Sequence, residues 1–205
     1  MQLIDEINLL KNRIGHIVEE RIREFEVMQN KDNLSWFHEL CFCILTANTS
    51  AEMGIRVQSS ISAIEFATLD EMDLSRRLRE AGYRFYRTRA KYIVSNRSYA
   101  GNIKDIITKM GKEERREFLV KNIKGMGYKE ASHFLRNVGY KDYAIIDKHI
   151  FRLMVENGLT REKQVNPKNY VELEKILENI ARTVDIDLAR LDLYLWYMET
   201  GKVLK

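Results

Sequence analysis

A four-residue turn carrying two glycines, Lys124-Gly125-Met126-Gly127, constrains this 205-residue chain more than any other stretch. Upstream of it, Phe118, Leu119 and Ile123 fall at helical spacing and stop at the turn. Downstream, Ala131, Phe134, Leu135 and Val138 resume the pattern, and Gly139 stands where a helix C-cap belongs. So short a turn between two helices predicts a tight helical hairpin. Gly125 and Gly127 carry no Cβ, so the backbone there is free to lie against another surface. The second helix starts with N–H groups that it cannot bond itself, a ready place for a phosphate. Lys129 lies in that first turn. Eighteen residues on, after the apolar step Ala144-Ile145-Ile146, Asp147 opens a third helix. A lysine at one helix start and an acid at the next suggest a site between them.

The remainder also reads as helix. Leu3, Ile7, Leu10, Ile14, Ile17 and Phe25 mark an amphipathic helix over 3–28. Trp36 to Thr46 is apolar nearly all round, as a helix at the centre of a lobe must be. Ala47-Asn48-Thr49-Ser50 reads as a turn and an N-cap for a helix over 51–66. Further helices are expected over 70–80, 84–97 and 101–110, and from Asp147 to about Glu156. Asn166 as N-cap with Pro167 at the first helical position predicts one more, to about Thr183. A last helix takes 188–198. No period-2 run is long enough for a strand, so the fold class is all-α.

Charged residues make up 31% of the chain but the net charge is only +4, so a nucleic-acid surface has to come from clustering. Residues 76–97 supply a cluster: Arg76, Arg77, Arg79, Arg84, Arg87, Arg89, Lys91 and Arg97 stand against Glu80 alone. Tyr83, Phe85, Tyr86 and Tyr92 interleave with them, a pattern that suits phosphate tracking and base stacking. A solvated charged face is the plainer alternative. Cys41 and Cys43 cannot build a disulfide framework and read as buried thiols in a reducing compartment. Four histidines without paired spacing argue against zinc, and no metal site is expected. Without a signal peptide or an apolar run of about 18 residues, an intracellular, cytoplasmic protein with no membrane contact is expected, and a monomer.

The order Gly125, Gly127, Lys129, then Asp147, His149 and Arg152 resembles the helix-hairpin-helix and catalytic loop of the DNA glycosylase superfamily that includes endonuclease III and the 8-oxoguanine glycosylases. That family has a G-x-G turn, a lysine two residues later and an aspartate in a D-x-H-x-x-R context. The motif spans about a fifth of the chain. The resemblance implies two helical lobes with the hairpin at the cleft between them, residues 32–140 forming one and residues 1–31 with 141–205 the other. It also implies base-excision chemistry on damaged double-stranded DNA, with Lys129 attacking a sugar C1′ and Asp147 stabilising the developing positive charge. A lysine in the first turn of a helix is disfavoured as a cation, which favours the neutral amine that such an attack needs. Read without the resemblance, Lys129 is an ordinary helix lysine and Asp147 an N-cap.

Endonuclease III usually carries a four-cysteine iron–sulfur loop near its C-terminus, and no cysteine follows Cys43 here. The short length and the ending LDLYLWYMETGKVLK are most similar to the archaeal type-2 8-oxoguanine glycosylases. That group sandwiches the flipped base between two aromatics, for which Phe85 and Trp196 are the matching positions, and places its C-terminal lysine, Lys205 here, in the base pocket. Asn48 matches where relatives fill the gap left by the flipped nucleotide, and Arg84 and Arg87 fall in the DNA-contacting stretch. No cofactor is expected beyond a structural monovalent cation of the kind such hairpins often hold through backbone carbonyls. Two other readings stay open: the same chemistry on oxidised pyrimidines, and a helix-hairpin-helix DNA-binding module without catalysis.

Overall fold

The computed structural model describes residues 2–205. Its helices are α1 (Gln2–Gln29), α2 (Asn33–Thr46), α3 (Ala51–Ser60), α4 (Ala63–Thr68), α5 (Glu71–Glu80), α6 (Tyr86–Ser95), α7 (Ile103–Ile107), α8 (Lys112–Asn122), α9 (Tyr128–Asn137), α10 (Lys148–Glu156), α11 (Tyr170–Thr183) and α12 (Leu188–Thr200), with a single 3-10 turn at Arg97–Tyr99. No strand forms among the described residues. The chain resolves into two compact units, Met28–Phe134 and Met1–Val27 with Leu135–Lys205. The expected divisions lay a few residues later, at 31/32 and 140/141. The chain passes from one unit to the other inside α1 and inside α9.

In the unit Met28–Phe134, α2 is the axis. Trp36, Phe37, Leu40, Phe42, Ile44 and Leu45 are fully buried, on every side of the helix. Each such side chain contributes roughly 1.5–3 kcal/mol by leaving water. α3, α4, α6 and α7 pack around α2. Gly54 of α3 shows how closely: a Cβ there would sit 2.7 Å from Thr46 Cγ2 and 2.8 Å from Phe42 Cε2. The single helix expected over 51–66 is two. α3 ends at Ser60, Ile61 is extended, and Ser62 restarts the chain in a capping box whose hydroxyl accepts from Glu65 N–H while Glu65 accepts from Ser62 N–H.

In the other unit, Leu10, Ile14, Val18, Ile22 and Phe25 of α1 pack with Ala189, Leu193 and Tyr194 of α12. Val18, not the expected Ile17, continues the stripe; Ile17 is 40% exposed. Arg136 and Asp192 form a buried ion pair beside this core. The segment before Asp147 is extended, so no helix bonds satisfy it; α11 does instead. The Tyr170 hydroxyl receives Ile146 N–H and donates to Ala144 C=O, while Glu174 receives Ala144 N–H at 2.9 Å. α11 itself begins at Tyr170, not at Pro167. Asn166 Oδ1 accepts from Lys168 and Asn169 N–H, which closes a separate turn before the helix starts.

Candidate active site

The hairpin is α8, the turn 123–127 and α9. Gly125 has φ +89°, and a Cβ there would come within 2.6 Å of Tyr92 Cδ2. Its missing side chain therefore serves packing against α6, a close approach of the kind that a glycine here was expected to allow. Asn96, buried at the end of α6, clasps the turn twice: its Nδ2 donates to Lys124 C=O and its Oδ1 accepts Lys124 N–H, both at 3.0 Å. Behind the turn, Tyr128 donates to Glu117 across α8 and α9, and the Arg116 guanidinium lies 5.8 Å from the Tyr128 ring. The hydrogen bond from Tyr128 holds the Glu117 carboxyl below its usual range and raises the phenol in return.

One amide expected to be free is not. Gly127 N–H donates to Glu130 Oε2 at 3.2 Å, a capping contact three residues ahead. The other Glu130 oxygen lies 3.7 Å from Lys129 Nζ. Lys129 is only 26% exposed, so the amine is half sheltered at the very start of α9 with a carboxylate beside it.

Seven further predicted residues divide between the two units. Asn48 is exposed in the turn between α2 and α3 with φ +60°, a left-handed conformation that asparagine tolerates. Phe85, half-buried, stands at the N-cap of α6, with the exposed Arg84 guanidinium 5.0 Å from its ring. Arg87 is exposed beside Tyr86. In the other unit Asp147 caps α10, its Oδ1 accepting His149 and Ile150 N–H at 2.8 and 2.9 Å. Both bonds end on one oxygen, which leaves Oδ2 for chemistry. The His149 ring meets Trp196 edge-on at 5.7 Å, and Glu199 anchors both His149 and Arg152. Asp147 and Trp196 are thus linked through His149. Trp196 Nε1 is buried without a hydrogen-bond partner. Lys205 ends a half-buried tail in which Val203 packs on the α1–α12 core.

The basic stretch is not one surface. Arg77 bonds Ser60 C=O and Glu65, Arg97 bonds Phe66 and Leu69 carbonyls, Arg76 pairs with Asp73, and Arg89 is buried. Arg79, Arg84, Arg87 and Lys91 remain exposed, as does the paired Arg76. Charge density along a sequence says nothing about which cations the fold consumes. Asn96 and Glu130 were missed as supports of the hairpin. Glu130 had a signal, three residues after Gly127; Asn96 had none.

A lysine at a helix start, an acid with one free oxygen and aromatic faces suit attack on a sugar carbon after a base has left its stack. The family model described as 8-oxoguanine DNA glycosylase matches residues 18–186. An 8-oxoguanine DNA glycosylase/AP lyase of Methanocaldococcus jannaschii is 54% identical over the whole of both chains, and one of Korarchaeum cryptofilum is 48% identical over 99% of this chain and 98% of its own. The crystal structure of the M. jannaschii enzyme with a 15mer DNA containing 8-oxoguanine superposes with a TM-score of 0.96 at 53% identity, covering both chains fully. That of the Thermotoga maritima enzyme gives 0.93 at 43% identity, covering all of this chain and 99% of the other. On these matches this chain belongs to the 8-oxoguanine DNA glycosylase family.

Proposed function

We propose that this protein excises 8-oxoguanine from duplex DNA and then cleaves the resulting abasic site, as a DNA glycosylase with lyase activity. The observation that carries the reading is the full-length match to relatives of that name, one of them crystallised on 8-oxoguanine DNA. Within the chain, the half-sheltered Lys129 at the start of α9 and the free oxygen of Asp147 at the start of α10 supply the groups the reaction needs.

The target nucleotide leaves the stack, at a cost of a few kcal/mol that backbone and pocket contacts offset. Amides of the first turn of α9 hold a backbone phosphate, Glu130 keeping the Gly127 amide for itself. Phe85 and Trp196 stack on the extruded base, and the tail ending at Lys205 reads its edge. Lys129 Nζ attacks C1′ and the base departs; Asp147 offsets the positive charge that grows on the sugar. The resulting imine acidifies the C2′ proton, whose removal expels the 3′ phosphate. Asn48 fills the space left in the duplex, while Arg84 and Arg87 track phosphates. The enzyme works as a monomer inside the cell. A monovalent cation on the hairpin carbonyls finds a partial fit: Ile123 C=O is loosely engaged by Met126 N–H at 3.3 Å, whereas Lys124 C=O is taken by Asn96.

Borohydride trapping tests this reading. The chain should become covalently fixed to a duplex carrying 8-oxoguanine, and Lys129→Gln should abolish trapping while leaving lesion-DNA binding in place. Trapping that survives in Lys129→Gln makes another amine the nucleophile. Stronger trapping on oxidised pyrimidines moves the substrate assignment.

A further inference from the structure

Arg89 is a buried cation that the reaction above leaves unused. It lies in α6, 8% exposed, and no carboxylate pairs with it among the described residues. Its Nε is buried without a hydrogen-bond partner. Burying an ion without a counter-ion is costly, and an apolar side chain of similar volume often serves stability better. Besides the neighbouring Tyr83 hydroxyl, three contacts help to offset the cost. Nη2 donates to Ala47 C=O at 2.8 Å; the guanidinium carbon lies 5.8 Å from the Phe85 ring centre and 5.5 Å from that of Tyr92.

Each of these three contacts leads to a group already placed in the site. Ala47 immediately precedes Asn48, the left-handed turn residue. Phe85 is the stacking aromatic. Tyr92 is the ring against which Gly125 closes, so it backs the hairpin turn. A planar guanidinium can face two rings and still donate in its own plane; an ammonium cannot. We infer that Arg89 is a positioning residue that fixes the Phe85 ring and the Asn48 turn in one arrangement before the base arrives. The inference rests on the reading of Phe85 as a base-stacking residue. Preformed geometry spares the enzyme the ordering of these groups at the moment of binding.

Arg89→Lys and Arg89→Met, assayed under single turnover, should lower 8-oxoguanine excision by roughly tenfold or more, the worth of a disturbed base stack. Cleavage of a preformed abasic site, which offers no base to stack, should fall far less. Adding Arg89→Met to Phe85→Ala should then change excision little beyond Phe85→Ala alone, because the arginine acts through that ring. Equal losses on both substrates, or full additivity in the double variant, would overturn the inference. If Phe85→Ala itself slows both substrates alike, it is the base-stacking role of Phe85 that fails. Circular dichroism establishes whether the Arg89 variants fold. If neither folds, the wild-type protein decides. Its Arg89 Nε–H, observed by 15N NMR, should exchange slowly and shift with 8-oxoguanine duplex but not with undamaged duplex; identical spectra would sink the proposal.

Discussion

Asn96 and Lys124 are joined by two hydrogen bonds of 3.0 Å, side-chain amide to backbone amide, across 28 residues of sequence. The pair fixes the first half of the hairpin turn to the end of α6. Asn96→Ala would leave a backbone N–H and a C=O without partners in a part-buried place, at a cost of roughly 2–3 kcal/mol. Chemical denaturation should show that loss. Because the turn positions the amides proposed to hold phosphate, affinity for lesion and undamaged duplex should fall together in filter binding, whereas a base-pocket defect would separate them.

Gly125 and Gly82 both hold positive φ, +89° and +81°, but only Gly125 is crowded. Gly82→Ala should cost about 1 kcal/mol, the backbone penalty alone. Gly125→Ala adds a Cβ 2.6 Å from Tyr92 and should cost clearly more, with weakened DNA binding. Thermal unfolding of the two variants side by side measures the difference; equal shifts would mean that Tyr92 moves aside freely.

The capping of α10 by Asp147 and its proposed part in catalysis can be separated by substitution. Asparagine keeps an oxygen for the His149 and Ile150 amides, so Asp147→Asn should be nearly as stable as the parent yet slower in base excision by orders of magnitude. Asp147→Ala should lose both activity and about 1 kcal/mol of stability through the missing cap. Turnover near normal in Asp147→Asn would reduce the residue to its capping role.

Acid should weaken the unit built on α1 and α12. The hydrogen bond from Arg190 holds the Glu19 carboxyl below its usual 4.5, against a smaller opposing effect of burial. A carboxyl whose folded value is depressed contributes its stability in full above the unfolded value and loses it as pH falls through the folded one. Unfolding free energy from urea titrations should therefore decline below about pH 4.5, and Glu19→Gln should make that decline shallower. An unchanged slope would place the acid sensitivity in other carboxyls.

The hairpin was legible because everything that specifies it is local: two apolar stripes, two glycines and a short spacing. The reason for Gly125 was not, because Tyr92 lies 33 residues away and no period connects them. The run of arginines misled for a related reason. Arg77, Arg89 and Arg97 reach carbonyls that the fold brings near, and a sequence records their charge without their burial. Asp147 read correctly as a helix start, since capping is a relation between neighbours. That its two bonds use a single oxygen depends on the side-chain rotation at the cap, which no residue type or spacing specifies.

The helix at the axis of the unit Met28–Phe134 carries both cysteines of the chain, Cys41 and Cys43, each with no exposure at all. Burial also pushes the Cys41 thiol well up, so little of it is ever the reactive thiolate. A thiol reagent therefore finds nothing to modify while that unit is closed. Its labelling rate counts openings of that unit alone, so the chain carries a native clock for the local breathing of the half that holds Lys129.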